Sequence, residues 1–290
     1  LFSVQALVAF GWLKPSLSRF IAQPGSISGA LLGGLCFGAG MILTRGCASR
    51  LLVLSANGNL RALLSGLIFA VTVQATIGGW LAPLKLSVTQ LWPVDGGASR
   101  DLLQLSGMGN TGGLIISATL LILAWVFFSR HHKGRWALGM GAALTGTSIA
   151  MGWGFTQAIA AASFEPVAVQ SLSFSSPSAE WLMRVLSTAN AARWGFDSGV
   201  LPGTFVGSLI GALLGREFKL EGFKTENKLG HYLSGAILMG FGAVLASGCT
   251  VGAGMTGGAI FAFTAWLTLI SIWLGAGLAW RMSKSMGWVI

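Results

Sequence analysis

Two stretches decide how this sequence is read. The first is Gly38-Ala39-Gly40-Met41-Ile42-Leu43-Thr44-Arg45-Gly46-Cys47. The second, 202 residues later, is Gly240-Phe241-Gly242-Ala243-Val244-Leu245-Ala246-Ser247-Gly248-Cys249. With Cys47 laid on Cys249 the frame needs no gap. Gly33 then falls on Gly235, Gly38 on Gly240, Gly40 on Gly242, Leu43 on Leu245 and Gly46 on Gly248. An apolar run follows each copy. Six identities in one frame mark an internal duplication, with repeats expected at approximately 1–135 and 136–290 of a single transmembrane domain.

Each copy reads as a Gly-rich helix that stops at a Gly-Cys pair. In the second copy the chain continues Thr250-Val251-Gly252-Ala253-Gly254-Met255-Thr256-Gly257-Gly258. Each glycine in a helix interior costs about 1 kcal/mol against alanine, so non-helical backbone is expected there. At membrane depth such backbone is tolerated only where protein buries it or it lines a water-filled cavity. Paired broken helices at matching positions of two repeats point to a transport site. A half-helix starting inside the membrane turns free N–H groups and its positive dipole end toward the cavity, which favours an anion.

Working outward, the composition excludes a water-soluble globule. Of 290 residues, 53% are hydrophobic and only 9% charged, where a soluble domain carries about a quarter charged. No Asp, Glu, Lys or Arg interrupts Ala62 to Ala82, Gly112 to Ser129, Trp136 to Phe164 or Tyr232 to Trp280. Roughly 20 apolar residues cross a bilayer as a helix. The fold class is therefore all-α and polytopic, with about eight to nine membrane segments. They are expected near 1–13, 26–44, 61–82, 112–129, 136–162, 200–215, 231–247 and 259–281. The chain opens at Leu1 without methionine, so a preceding piece is expected, and no cleavable signal peptide is read.

The net charge of +10 resides mostly in short connections, and no nucleic-acid module is present. Lys14 with Arg19, the turn from Arg130 through His131 and His132 to Arg135, and Arg216 to Lys228 are grouped by the positive-inside rule on the cytoplasmic face. Segments 83–111 and 163–199 then face the other side. The two histidines read as a solvated turn and not as metal ligands.

Cys36, Cys47 and Cys249 are the three cysteines. An odd number in apolar surroundings excludes a secreted disulfide framework. A thiol is a weak donor and weak acceptor, suited to a soft sulfur atom. Cys47 and Cys249 stand at matched hinges, and Arg45 and Arg50 flank the first. Arg45 either binds the anion or snorkels to an interface; its counterpart is Ser247. Cys36 is matched by Leu238 and reads as packing. Asn57, Asn59 and Arg61 read as a helix end and restart.

The run Gly33 to Arg50, with Asn57 to Leu64 and the second signature from Gly240 to Gly254, resembles the YeeE/YedE family of inner-membrane sulfur transport proteins. The resemblance implies two pseudo-symmetric helical halves pinched like an hourglass, with cysteine loops meeting at the pinch. It implies uptake of thiosulfate or a similar small sulfur-containing anion through a multi-pass protein of the inner (plasma) membrane, and a small cytoplasmic sulfur-carrier protein as partner. The substrate-binding and permeation residues would be Cys47, Cys249, Gly46, Gly248, Thr250, Arg45 and Cys36. The family pattern has a further functional cysteine nearer the N-terminus, for which Cys36 or a preceding segment both stand open. Some relatives are associated with selenium metabolism.

No ATP-binding GxxxxGK[ST] loop is present, and neither metal nor cofactor is expected. A transporter, not an enzyme, is the leading reading. The alternatives are a membrane thiol enzyme working through a cysteine persulfide, and a partner-dependent subunit of sulfur or selenium trafficking.

Overall fold

The computed structural model describes residues 1–131, 136–164, 167–186, 195–222 and 229–285. His132, Lys133 and Arg135 of the histidine-containing turn, Glu165, and Lys224 and Lys228 lie outside the described residues. The helices in chain order are α1 (Phe2–Ala9), α2 (Arg19–Ala22), α3 (Ile27–Leu43), α4 (Ala48–Ala56), α5 (Leu60–Gly78), α6 (Ala82–Thr89) and α7 (Leu102–Leu105). They continue as α8 (Gly109–His131), α9 (Trp136–Ala162), α10 (Ser175–Leu186), α11 (Phe196–Leu214), α12 (Leu229–Leu245) and α13 (Phe263–Ser285).

Six helical stretches among the described residues are long and apolar enough to cross a membrane. They are Ile27–Ala56, Leu60–Gly78, Gly109–Arg130, Phe196–Leu214, Leu229–Gly257 and Phe263–Ser285. Large apolar side chains stand exposed along them, Leu121, Trp125 and Phe127 on α8 and Trp273 and Leu274 on α13 among them. An outward face of that kind suits lipid. The expected count of eight to nine differs for two reasons. Within the first segment the structure describes the eight-residue α1, which is not counted among the six. The segment at 136–162 does form a 27-residue helix, α9, but its Gly, Ser, Thr and Gln residues dilute its hydropathy below that of the six.

The chain folds into two compact units, each drawing on both ends of the sequence. One comprises Leu1–Gly25, Val94–Leu172 and Gly254–Trp266. There the buried Gln5 donates from Nε2 to Ala259 O at 2.6 Å. Arg100, 3% exposed, donates to Gln23 O and to Thr264 Oγ1, joining three distant segments. Burial pulls its guanidinium below the usual arginine range, because desolvation disfavours the charged form.

This unit corrects one expectation. The Arg19 N–H donates to Val169 O at 3.1 Å and Arg19 Nη1 to Gln170 Oε1 at 3.3 Å. The Lys14–Arg19 connection therefore sits against the 163–199 segment that the charge pattern put on the opposite face. Two cations are a weak bias, and here one is satisfied locally. The Arg216 connection packs against the helix restart at Asn57. Lys219 N donates to Asn57 O at 3.2 Å, Glu221 N to Gly58 O at 3.0 Å, and Asn59 Nδ2 to Glu221 Oε2 at 2.7 Å.

The second unit comprises Ser26–Pro93, Ser173–Ala253 and Leu267–Ile290. Its centre is α3 against α12. A Cβ built on Gly33 would lie 2.6 Å from Ala246 N and 2.7 Å from Gly242 O, and one on Gly242 would lie 2.5 Å from Gly33 O and Phe37 N. Gly40 and Gly235 abut each other in the same way. Only glycine permits this approach, as at other membrane helix crossings. Pairing 33 with 242 and 40 with 235 makes the helices antiparallel. Exchanging each residue for its counterpart 202 positions away maps the Gly33–Gly242 contact onto the Gly235–Gly40 contact. Gly34 and Gly38, on the other face of α3, abut Ser271 and Ile272 of α13.

Candidate functional site

The two Gly-Cys turns share one backbone design. After α3 ends at Leu43, Arg45 N donates to Ile42 O at 3.2 Å and Gly46 N to Met41 O at 3.0 Å. After α12 ends at Leu245, Ser247 N donates to Val244 O at 3.2 Å and Gly248 N to Ala243 O at 2.9 Å. These are the paired crossed bonds that close a helix through a left-handed residue. That residue is Arg45, φ 59°, in the first turn and Ser247, φ 58°, in the second. Glycine usually takes such a position; a side chain there costs of order 1–3 kcal/mol, and such strain clusters at functional sites. The sequence reading placed the hinges at Cys47 and Cys249, two positions after the left-handed residues. Gly46 and Gly248, both buried, stand between the strained residue and the thiol.

Around the first thiol, Cys47 is the N-cap of α4 with extended backbone. It is half-buried, and its Sγ lies 3.2 Å from Ser49 Oγ. The buried Thr44 hydroxyl donates to Gly40 O at 2.8 Å and lies 2.9 Å from Gly46 O, bracing the turn. The aliphatic part of Arg50 folds across Gly46, its Cδ 3.1 Å from where a Cβ would stand. Arg45 and Arg50 are both exposed, so two cations stand close to this thiol in the chain. An apolar cavity of about 300 Å³ lies behind α4, lined by Leu51, Phe69, Trp181 and Phe205 among others; its walls offer an anion nothing.

Around the second thiol, Cys249 is 1% exposed. Its Sγ accepts the Gly252 N–H at 3.4 Å, so the sulfur caps the helix that follows. That helix corrects the expectation of irregular backbone: Thr250–Gly257 is a π-helix. Its wider turn leaves the pitch of an ordinary helix without abandoning hydrogen bonding, and π-turns are frequent at functional sites. Thr250 is its first residue and half-buried.

Because α3 and α12 run antiparallel, Cys47 and Cys249 follow opposite ends of a helix pair, each helix about 25 Å long at 1.5 Å per residue. Neither thiol bonds to the other: Cys47 is paired with Ser49 and Cys249 with Gly252. Cys36 is half-buried within α3, apart from both turns in sequence. Sequence reasoning missed Ser49, whose hydroxyl it had no reason to distinguish from other small residues. It also missed Ser173, whose Oγ lies 2.9 Å from where a Cβ on Gly252 would stand. Only folding brings it there. Arg61 donates to Tyr232 Oη at 2.8 Å, its guanidinium 4.5 Å from that ring's centre, locking the helix restart onto α12.

The model of the sulphur transport family matches residues 1–278. A thiosulfate transporter, TsuA, of Escherichia coli K12 is 25% identical over 310 residues, covering 96% of this chain and 80% of that protein. The thiosulfate transporter TsuA of Spirochaeta thermophila is 26% identical over 289 residues, covering 94% of this chain and 81% of that protein. With its paired Gly-Cys turns and its family model spanning nearly the whole chain, this protein belongs to the sulphur transport family, the YeeE/YedE group.

Proposed function

We propose that the protein carries thiosulfate, or a similar small sulfur-containing anion, into the cell across the inner membrane, with the thiols of Cys249 and Cys47 at separate points of its path. The observation that carries this reading is the pair of matching strained turns, each delivering a thiol at a helix N-terminus. The antiparallel, exchange-symmetric packing of α3 on α12 supports inverted repeats, an arrangement in which substrate sites lie near the bilayer midplane. Both relatives are named as thiosulfate transporters.

The chemistry suits such an anion. Helix N-termini offer N–H donors and a positive dipole end without requiring a buried cation. The thiols donate weakly to a polarisable sulfur and hold it loosely enough to release it. Arg45 and Arg50 make the Cys47 end the more positive, so an anion leaving Cys249 is drawn toward Cys47. Gly46, Gly248 and Thr250 shape the backbone beside each thiol, and Cys36 lies along α3. A small cytoplasmic sulfur-carrier protein would receive the anion.

Uptake of radiolabelled thiosulfate into proteoliposomes containing this protein alone tests the reading, with sulfate as competitor. Saturable uptake that sulfate barely inhibits is expected. Absence of uptake, or equal competition by sulfate, would count against it.

A further inference from the structure

The cavity behind α4 is walled by four helices of the second unit: α4 packs on α5, α5 on α10, α10 on α11 and α11 on α4. Its volume is about 300 Å³, and its lining is almost entirely carbon, from Leu51 and Leu52 on α4 to Trp181 on α10 and Phe205 on α11. Two hydroxyls reach the wall, and both are spent on nearby carbonyls. Ser55 Oγ donates to Leu52 O at 2.7 Å and Ser178 Oγ to Phe174 O at 2.6 Å. Trp181 Nε1 likewise donates to Ser198 O at 2.8 Å. A buried water needs about two to four polar partners, which this wall does not supply.

Three rim residues place the opening. Leu63 and Leu67 of α5 are 41% and 49% exposed and Val185 of α10 is 76% exposed, and all three line the cavity. Helix α5 is one of the stretches apolar enough to cross a membrane, and Leu63 lies one turn inside its Asn59 cap. The mouth therefore faces the hydrocarbon of the leaflet next to that restart.

Lipid tails are as apolar as the wall, so moving one from bilayer to cavity costs no dehydration. An unfilled void, by contrast, forfeits dispersion contacts over its whole lining. A cavity of about 150 Å³ with walls of this kind stays dry and takes benzene, so one of twice that size suits a hydrocarbon chain of roughly ten carbons. The connection at this end carries Arg216 and Lys219 but also Glu217 and Glu221, so the hydrocarbon and not the headgroup charge is the feature recognised.

We propose that this cavity is a lipid site, holding one acyl chain of a phospholipid from the adjacent leaflet. The acyl chain packs against Leu51, Leu52 and Ser55 and becomes part of the support of α4, the helix that Cys47 caps. Occupancy of the cavity does not depend on which anion the protein carries.

The test is tryptophan quenching in proteoliposomes of phosphatidylcholine brominated on its acyl chains, because bromine quenches at contact. Trp181 is isolated among 12 tryptophans by subtracting the Trp181→Phe counterpart of each protein. Its emission should be quenched in wild type relative to unbrominated vesicles. Gly66 lines the cavity and nothing lies within 4 Å of a Cβ there, so the side chain of Gly66→Leu fills the space and Trp181 should recover its full emission. Ser55→Leu fills the same cavity from α4 and serves where Gly66→Leu does not insert. Trp181 unquenched in wild type would overturn the proposal, as an empty or closed cavity. Equal quenching in wild type and the filled variants would also overturn it, as contact with bulk lipid from outside.

Discussion

Replacing Gly33 by alanine isolates the contact on which the helix pair depends. The new Cβ would lie 2.6 Å from Ala246 N, 2.7 Å from Gly242 O and 2.7 Å from Leu245 Cβ, where carbon contacts settle near 3.5–4.0 Å. Two of the three partners are backbone and cannot swing aside, so α3 and α12 must separate by about 1 Å at their crossing. Overpacking of this kind costs about 1–3 kcal/mol, and the gain in helix propensity returns about 1 kcal/mol. Gly66→Ala, in α5, is the control, because nothing lies within 4 Å of a Cβ there and only the propensity gain applies. The propensity gain is common to both, so the two variants should differ by the overpacking cost, about 1–3 kcal/mol. At roughly 2–4 °C per kcal/mol, Gly33→Ala should melt about 2–12 °C below Gly66→Ala. Thermal unfolding in detergent, followed by tryptophan fluorescence, measures this. Melting of the two variants within about 1 °C of each other would refute the close antiparallel packing and the pseudo-symmetry drawn from it.

Arg61 and Tyr232 are joined by both a hydrogen bond and a ring contact, so Arg61→Met and Tyr232→Phe should not add. A double-mutant cycle on thermal stability should give a coupling of about 1–2 kcal/mol; additive losses would contradict the contact. Arg100→Lys keeps the charge but cannot reach Gln23 O and Thr264 Oγ1 together, and should cost about 1–3 kcal/mol. Unchanged unfolding of that variant would remove Arg100 as the fastener of its unit.

Much of this architecture was legible in the sequence because membrane helices are written in long uninterrupted runs. The ungapped match of the two Gly-Cys stretches told more. The ungapped frame that put Cys47 on Cys249 also puts α3 on α12 residue for residue, with both helices ending at matched positions. The helix restart at Asn57 and Asn59 was legible as well, since Asn59 caps α5 through its side chain.

What was not legible depends on partners far away in the chain. Four glycines within Thr250–Gly258 read as a helix breaker on propensity alone; a π-helix satisfies the same backbone and uses their freedom. Left-handed Arg45 and Ser247 carry no composition signal, because glycine, the residue expected there, comes one position later. Charge counting grouped Lys14 and Arg19 with the wrong connections, since the carbonyl of Val169 and the side chain of Gln170 outweigh a bias of two cations. Ser173 is one serine among many until the fold sets it beside Gly252.

In the proposed function the buried thiol of Cys249 handles the anion. Its most direct test is the initial rate of radiolabelled thiosulfate uptake by Cys249→Ala in proteoliposomes, beside wild-type protein inserted in equal amount. The variant should fall to the rate of protein-free vesicles while its thermal unfolding stays close to wild type. Uptake by Cys249→Ala at the wild-type rate would contradict it.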